Sequence, residues 1–120
     1  MPPVKYLPGT HIIASLETAD IALLTTHEAF QQEINRLIAS YDLHNLGAVY
    51  HNFSPAGFTA VICLSESHIS IHTWPEFGKV NLDIYLSNYK RCNDGTVQAI
   101  YEALVTFFKA RVLQHHNLNR

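Results

Sequence analysis

Val80, Leu82, Ile84 and Leu86 alternate without a break with Asn81, Asp83, Tyr85 and Ser87. Successive side chains of a strand point to opposite faces, so this segment commits the chain to a sheet with one buried face. The buried face needs a cover, and two amphipathic stretches suit it. Phe30, Ile34, Leu37, Ile38 and Tyr41 recur at helical spacing. This helix is expected to open at Thr25, with Glu28 three residues later completing a capping box. A second helix is expected from Asp94-Gly95-Thr96, with Val97, Ile100, Leu104, Phe107 and Phe108 as its stripe.

Further extended segments accompany that strand. His11 to Leu16 is a short apolar run, expected as the first strand. Leu46 to Phe53 and Phe58 to Leu64 read as two strands joined through the turn Ser54-Pro55-Ala56-Gly57. Cys63, inside the second of these apolar runs, is read as core. His68 to Thr73 continues the extended chain until Pro75 and Gly78 break it. The tail, Gln114 to Arg120, is polar and expected to be frayed or at most to add an edge strand. The expected architecture is an α+β two-layer sandwich, a mostly antiparallel sheet with two helices on one face, in a single domain over residues 1–120. The other sheet face is left to solvent or to a partner.

With 48% hydrophobic and 15% charged residues, the composition is that of a folded globular chain and not a disordered one. A net charge of −2 leaves no basic patch and no electrostatic case for nucleic acid. No apolar run approaches the roughly eighteen residues of a membrane span. Met1-Pro2-Pro3-Val4-Lys5 lacks the apolar core of a signal peptide, and Cys63 and Cys92 make no disulfide framework. A cytoplasmic protein without membrane contact is expected. Eight histidines in 120 residues are an excess that calls for a chemical explanation.

That explanation centres on Glu66-Ser67-His68-Ile69-Ser70-Ile71-His72-Thr73-Trp74-Pro75-Glu76. Strand geometry puts Ser67, Ile69 and Ile71 on one side and His68, Ser70 and His72 on the other. The segment resembles the self-cleavage region of the pyruvoyl-dependent S-adenosylmethionine decarboxylases, in their short bacterial and archaeal form. The resemblance covers most of the chain. It is strongest from His51 to Glu76, with further agreement at Gly9-Thr10-His11 and in Val80 to Leu86.

Decarboxylating an amino acid leaves a carbanion that no ordinary side chain stabilises, so an electron sink is required. A pyruvoyl group serves, because its ketone forms a Schiff base with the substrate amine, and a protein can make the group from its own serine. The resemblance implies that the Ser67 hydroxyl attacks the Glu66 carbonyl to give an ester. β-Elimination then splits the chain into residues 1–66 and 67–120, the second starting with the pyruvoyl cofactor. His72 matches the family's processing histidine. Thr59 stands where the family usually has a processing serine, a change that keeps the hydroxyl. The resemblance further implies a two-layer α/β sandwich and a homodimer whose active sites are lined by both protomers. Phe53, Trp74 and Glu76 are candidate substrate contacts, the aromatics for adenine or a sulfonium and the carboxylate for hydroxyls or an amine.

Two departures bear on the substrate. Ser87 stands where the family places a proton-donating cysteine, and a hydroxyl is a far weaker acid than a thiol of reference pKa about 8.5. Cys92, His68 and Tyr85 are alternative donors. Thr10 stands where many bacterial members have arginine. S-adenosylmethionine, for polyamine (spermidine) synthesis, is therefore accompanied by two alternatives: a drifted substrate such as arginine or ornithine, or a catalytically silent paralogue serving as a partner subunit. Plainer roles stand beside these: a strand-ending Ser67, a packed His72, core or interface aromatics at Phe53 and Trp74, and solvated carboxylates at Glu76 and Asp83. His68, His72 and Glu76 with His115-His116 form an alternative metal set. Nothing in the sequence fixes that tail near the motif, so no metal is expected.

Overall fold

The computed structural model describes residues 5–120, so residues 1–4 of the N-terminal segment considered above lie outside the described residues. Six strands form one antiparallel sheet: β1 (Thr10–Glu17), β2 (Asn45–Asn52), β3 (Phe58–Leu64), β4 (Ser67–Trp74), β5 (Lys79–Leu86) and β6 (Arg111–Asn119). Their order is β2-β3-β4-β5-β1-β6. Three helices, α1 (Ala22–Thr25), α2 (Glu28–Ser40) and α3 (Asp94–Phe107), complete the fold with a 3-10 turn at Pro75–Phe77. The α+β sandwich expected from patterning is the architecture found.

The alternation in β5 sets the layer structure. Val80, Leu82, Ile84 and Leu86 are buried, and the register aligns them with Ile71 and Ile69 of β4 and with Leu16, Ala14 and Ile12 of β1. Phe30, Ile34, Leu37 and Ile38 of α2 and Val97, Ile100 and Leu104 of α3 close over this face in one continuous core. The Phe30 ring lies 5.7 Å from that of Phe58 and 6.2 Å from that of Phe108, joining both long helices to the sheet. Both helices end in Schellman motifs. Leu43 N–H reaches Ile38 O and Ala110 N–H reaches Val105 O, with Asp42 (φ 54°) and Lys109 (φ 52°) in the left-handed position usually held by glycine.

Local expectations fail where tertiary contacts decide. Thr25 does not open a helix; it ends α1, its hydroxyl donating to Ala22 O at 2.9 Å. The start of α2 is capped from across the fold. Asn52 of β2 accepts the His27 N–H at 2.8 Å and donates to Glu28 at 3.1 Å, doing the work assigned to the capping box. Cys63 is exposed, because Phe58, Ala60, Ile62 and Leu64 take the helix side of β3 and leave Thr59, Val61 and Cys63 on the open face. Phe107 is only partly buried; Tyr101 takes its place in the α3 stripe. The tail is not frayed, since β6 pairs with β1 from Arg111↔Glu17 to Asn119↔Thr10 as an exposed edge strand. Among the described residues no helix is long and apolar enough to cross a membrane.

Thr73 stitches the layers together near the end of β4. Its buried hydroxyl donates to Leu24 O at 2.8 Å and accepts the Phe58 N–H at 2.8 Å. Replacing it with an isosteric valine leaves a buried donor and a buried acceptor without partners. Thr73→Val is expected to lower stability by about 1–3 kcal/mol in chemical denaturation, and a change within error would show that water replaces both bonds.

Candidate functional site

The Glu66–Ser67 bond sits in the tightest connection of the sheet. Leu64 pairs with Ser67, so only Ser65 and Glu66 link β3 to β4. Ser67 has φ 126°, a region that side-chain-bearing residues rarely adopt and that costs about 1–3 kcal/mol. The turn is held there from two sides. The Glu66 carbonyl accepts the Ser87 N–H at 2.8 Å. The Glu66 carboxylate, almost buried, receives Arg91 Nε at 3.1 Å, Arg91 Nη2 at 2.8 Å and Asn93 Nδ2 at 3.1 Å. The Arg91 guanidinium, with help from Asn93, holds the Glu66 carboxyl below the usual glutamate range against the opposing effect of burial. These charge-assisted bonds hold the turn against its backbone strain.

Ser87, just beyond β5, presents its N–H to the scissile carbonyl and lines a recess of about 220 Å³ with Lys5, Tyr6, Leu7 and Tyr89. Cys92 is exposed in the loop that follows, near Asp94, whose carboxyl Asn88 and Thr10 chiefly hold below the usual range, with Cys92 contributing. The Thr10 hydroxyl donates to that carboxylate, tying β1 to the start of α3. His68 and Tyr85 lie side by side on the open face, rings 5.9 Å apart, next to His11. Burial pushes the His11 imidazole below its ordinary pKa. Arg120 Nη1 lies 3.2 Å from His11 Nδ1, and because arginine only donates, the ring proton of neutral His11 is on Nε2, towards Asp83.

The second group of predicted residues gathers at the far end of β4. Thr59 and His72 are register partners, and the Thr59 hydroxyl lies 2.5 Å from His72 Nδ1 and 3.2 Å from Ile71 O. His72 then lines a cavity of about 360 Å³ together with Phe53, Ala56, Trp74 and Glu76. Phe53 and Trp74 are about half exposed, so neither is a core aromatic.

These two groups do not meet within the chain. Ser67 and His72 are five residues apart on one strand, about 16 Å at ~3.3 Å per residue. His72 also belongs to the open face and Ser67 to the helix side. The tail histidines part company as well: His115 packs on Tyr101 at 4.9 Å, while His116 pairs with Ile13 across the sheet. No group of three His, Cys, Asp or Glu among the described residues is placed to hold a metal ion. Arg91 and Asn93 were invisible to sequence reasoning. An asparagine directly before a helix reads as an N-cap, yet Asn93 makes no side-chain cap and turns to Glu66 instead.

Residues 10–120 match the family model described as S-adenosylmethionine decarboxylase. The S-adenosylmethionine decarboxylase proenzyme of Archaeoglobus fulgidus is 35% identical over 113 residues, covering 93% of this chain and 96% of that protein. The proenzyme of Picrophilus torridus is 36% identical over 110 residues, covering 88% and 85%. The fold agrees: the crystal structure of the adenosylmethionine decarboxylase from Aquifex aeolicus superposes with a TM-score of 0.78 at 25% identity, covering 97% of this chain and 91% of that one. With its fold and its relatives in agreement, the chain belongs to the S-adenosylmethionine decarboxylase family of carboxy-lyases.

Proposed function

We propose that this chain cleaves itself between Glu66 and Ser67 and then decarboxylates S-adenosylmethionine for polyamine synthesis, as a homodimer of cleaved protomers. The observation that carries the reading is the Glu66–Ser67 turn: a serine at φ 126° whose preceding carbonyl is already bonded to the Ser87 N–H. An N→O acyl shift needs that arrangement. The Ser67 oxygen bonds to the Glu66 carbonyl carbon, the C–N bond breaks, and the serine proton passes to the freed amine. The Ser87 N–H stabilises the oxyanion that forms on the way. A base then removes the Ser67 α-hydrogen and the Cβ–O bond breaks, releasing the Glu66 carboxylate and leaving dehydroalanine. Addition of water and loss of ammonia give the pyruvoyl end.

The residues present fit this group, since a strained serine behind a polarised carbonyl is what forming it requires. Once formed, it supplies the electron sink for decarboxylation. The chain's own residues do the rest. Thr59 and His72 are the hydroxyl and base of processing; the ~16 Å between His72 and Ser67 along β4 supports their acting on the turn of a neighbouring protomer. A dimer with the open faces together accounts for that, and it also covers Val61, Val49 and Leu118, which are exposed on this face. Phe53 and Trp74 offer π-faces to adenine or the sulfonium cation, a better match for S-adenosylmethionine than for arginine or ornithine. Glu76 accepts from hydroxyl or amine donors in the same cavity.

Ser87 supports a second reading, a silent partner subunit, because its hydroxyl is a weak proton donor. Ser87→Cys is expected to raise kcat by about tenfold or more while leaving cleavage intact. A Ser87→Cys protein that is cleaved but inert on S-adenosylmethionine, arginine and ornithine would favour the silent subunit.

Cleavage and its geometry are read together by mass under denaturing conditions. Wild type is expected as two fragments parting between Glu66 and Ser67, and His72→Ala as one chain. Co-expressed with Ser67→Ala, the His72→Ala chain is expected to be cut, because His72 of the partner subunit reaches its Ser67. If co-expression rescues nothing, the base acts within its own chain; an unbroken wild-type chain sinks the cleavage reading.

A further inference from the structure

The loop that follows β5 touches the scissile turn through Ser87, Arg91 and Asn93, and the last two have no part in the chemistry described so far. We propose that Arg91 and Asn93 are positioning residues for cleavage: they clamp the Glu66 side chain and thereby hold the Glu66 carbonyl on the Ser87 N–H, with Ser67 in its strained conformation. The proposal rests on the cleavage reading above and deepens it.

A carboxylate in a two-residue hairpin turn normally points into water. The Glu66 side chain is instead only 10% exposed, and it is met by both donor groups of a guanidinium fork and by an amide. The fork is itself braced, since Arg91 Nη2 also donates to Asp42 O at 2.8 Å, in the left-handed residue that ends α2. Asn93 is 1% exposed, and its Nδ2 uses both hydrogens. One goes to Glu66 Oε1 at 3.1 Å, the other to Ser87 O at 2.8 Å. A single amide nitrogen therefore joins the residue that carries the scissile carbonyl to the residue whose N–H polarises it. The Asn93 backbone N–H is fixed in turn by Asn88 Oδ1 at 2.7 Å.

Without this clamp the turn relaxes. Ser67 returns to negative φ, where it carries no strain, and the carbonyl swings off the Ser87 N–H. Misplacing reacting atoms by about 1 Å costs on the order of 100-fold in rate, so a clamp that touches neither Ser67 nor His72 still governs cleavage.

The test follows cleavage over time by denaturing mass spectrometry in wild type, Arg91→Met, Arg91→Lys, Glu66→Gln and the Arg91→Met/Glu66→Gln double variant. Melting temperatures of the arginine variants are measured in an uncleavable Ser67→Ala background. Arg91→Met is expected to cleave at least about tenfold more slowly, with Arg91→Lys recovering part of the rate and a cooperative melting transition retained in both. The double variant is expected to be no slower than the slower single, because Arg91 acts through Glu66. Arg91→Met keeping pace with a cleaving wild type overturns the clamp alone. So do effects that multiply in the double variant, or a slow rate matched by a lost melting transition and no lysine rescue. A wild-type chain that never cleaves overturns the clamp and the cleavage reading together.

Discussion

Strand β4 serves two sides at once, and the rest of the structure is arranged around that. Ile69 and Ile71 are fully buried beneath the helices, each contributing roughly 1.5–3 kcal/mol by leaving water. A shift of one residue in register would exchange them for His68, Ser70 and His72. The pairings with β3 and β5 on either side are locked to the same phase by Ala60, Ile62, Leu82 and Ile84. The polar set is thereby held on the open face, and the two ends of the strand are kept apart. The Glu66–Ser67 turn is at one end and the Thr59–His72 pair at the other.

Each end uses that rigidity differently. At the Ser67 end a two-residue turn joins β3 to β4, and a nearly buried carboxylate braces it against the loop that follows β5. The strain persists because those charged hydrogen bonds hold the turn in place. At the His72 end the side chains are more open, and aromatic rings and a carboxylate line a cavity in front of a hydroxyl–imidazole pair. The first end suits chain chemistry; the second suits proton transfer and the recognition of a flat, cationic ligand.

Much of the fold was readable from periodicity. The alternation in β5 and the stripes of α2 and α3 are long enough for burial to leave an unambiguous trace. The misreadings share a cause. Thr25 and Glu28 form a sequence-level capping box, yet Asn52, far along the chain, provides the bonds. Cys63 lies in an apolar run that reads as core, but a one-sided sheet buries only alternate residues of β3. The polar tail has no inward stripe to reveal it, because an edge strand is held by backbone pairing, to which side chains are nearly silent.

The sequence by itself determined the layer architecture, the family and the chemical vocabulary of the site. Those rest on local pattern and on a motif whose residues are contiguous. Only the tertiary structure decided what each part of the motif meets. Strand alternation had already set Ser67 and His72 on opposite faces, but not their neighbours. Thr59 meets His72 only because β3 and β4 pair in one register, and Arg91 and Asn93 reach Glu66 only because the loop after β5 folds back over the turn. Hydrogen bonds between residues distant in sequence leave no periodic signature, so their geometry had to come from the fold.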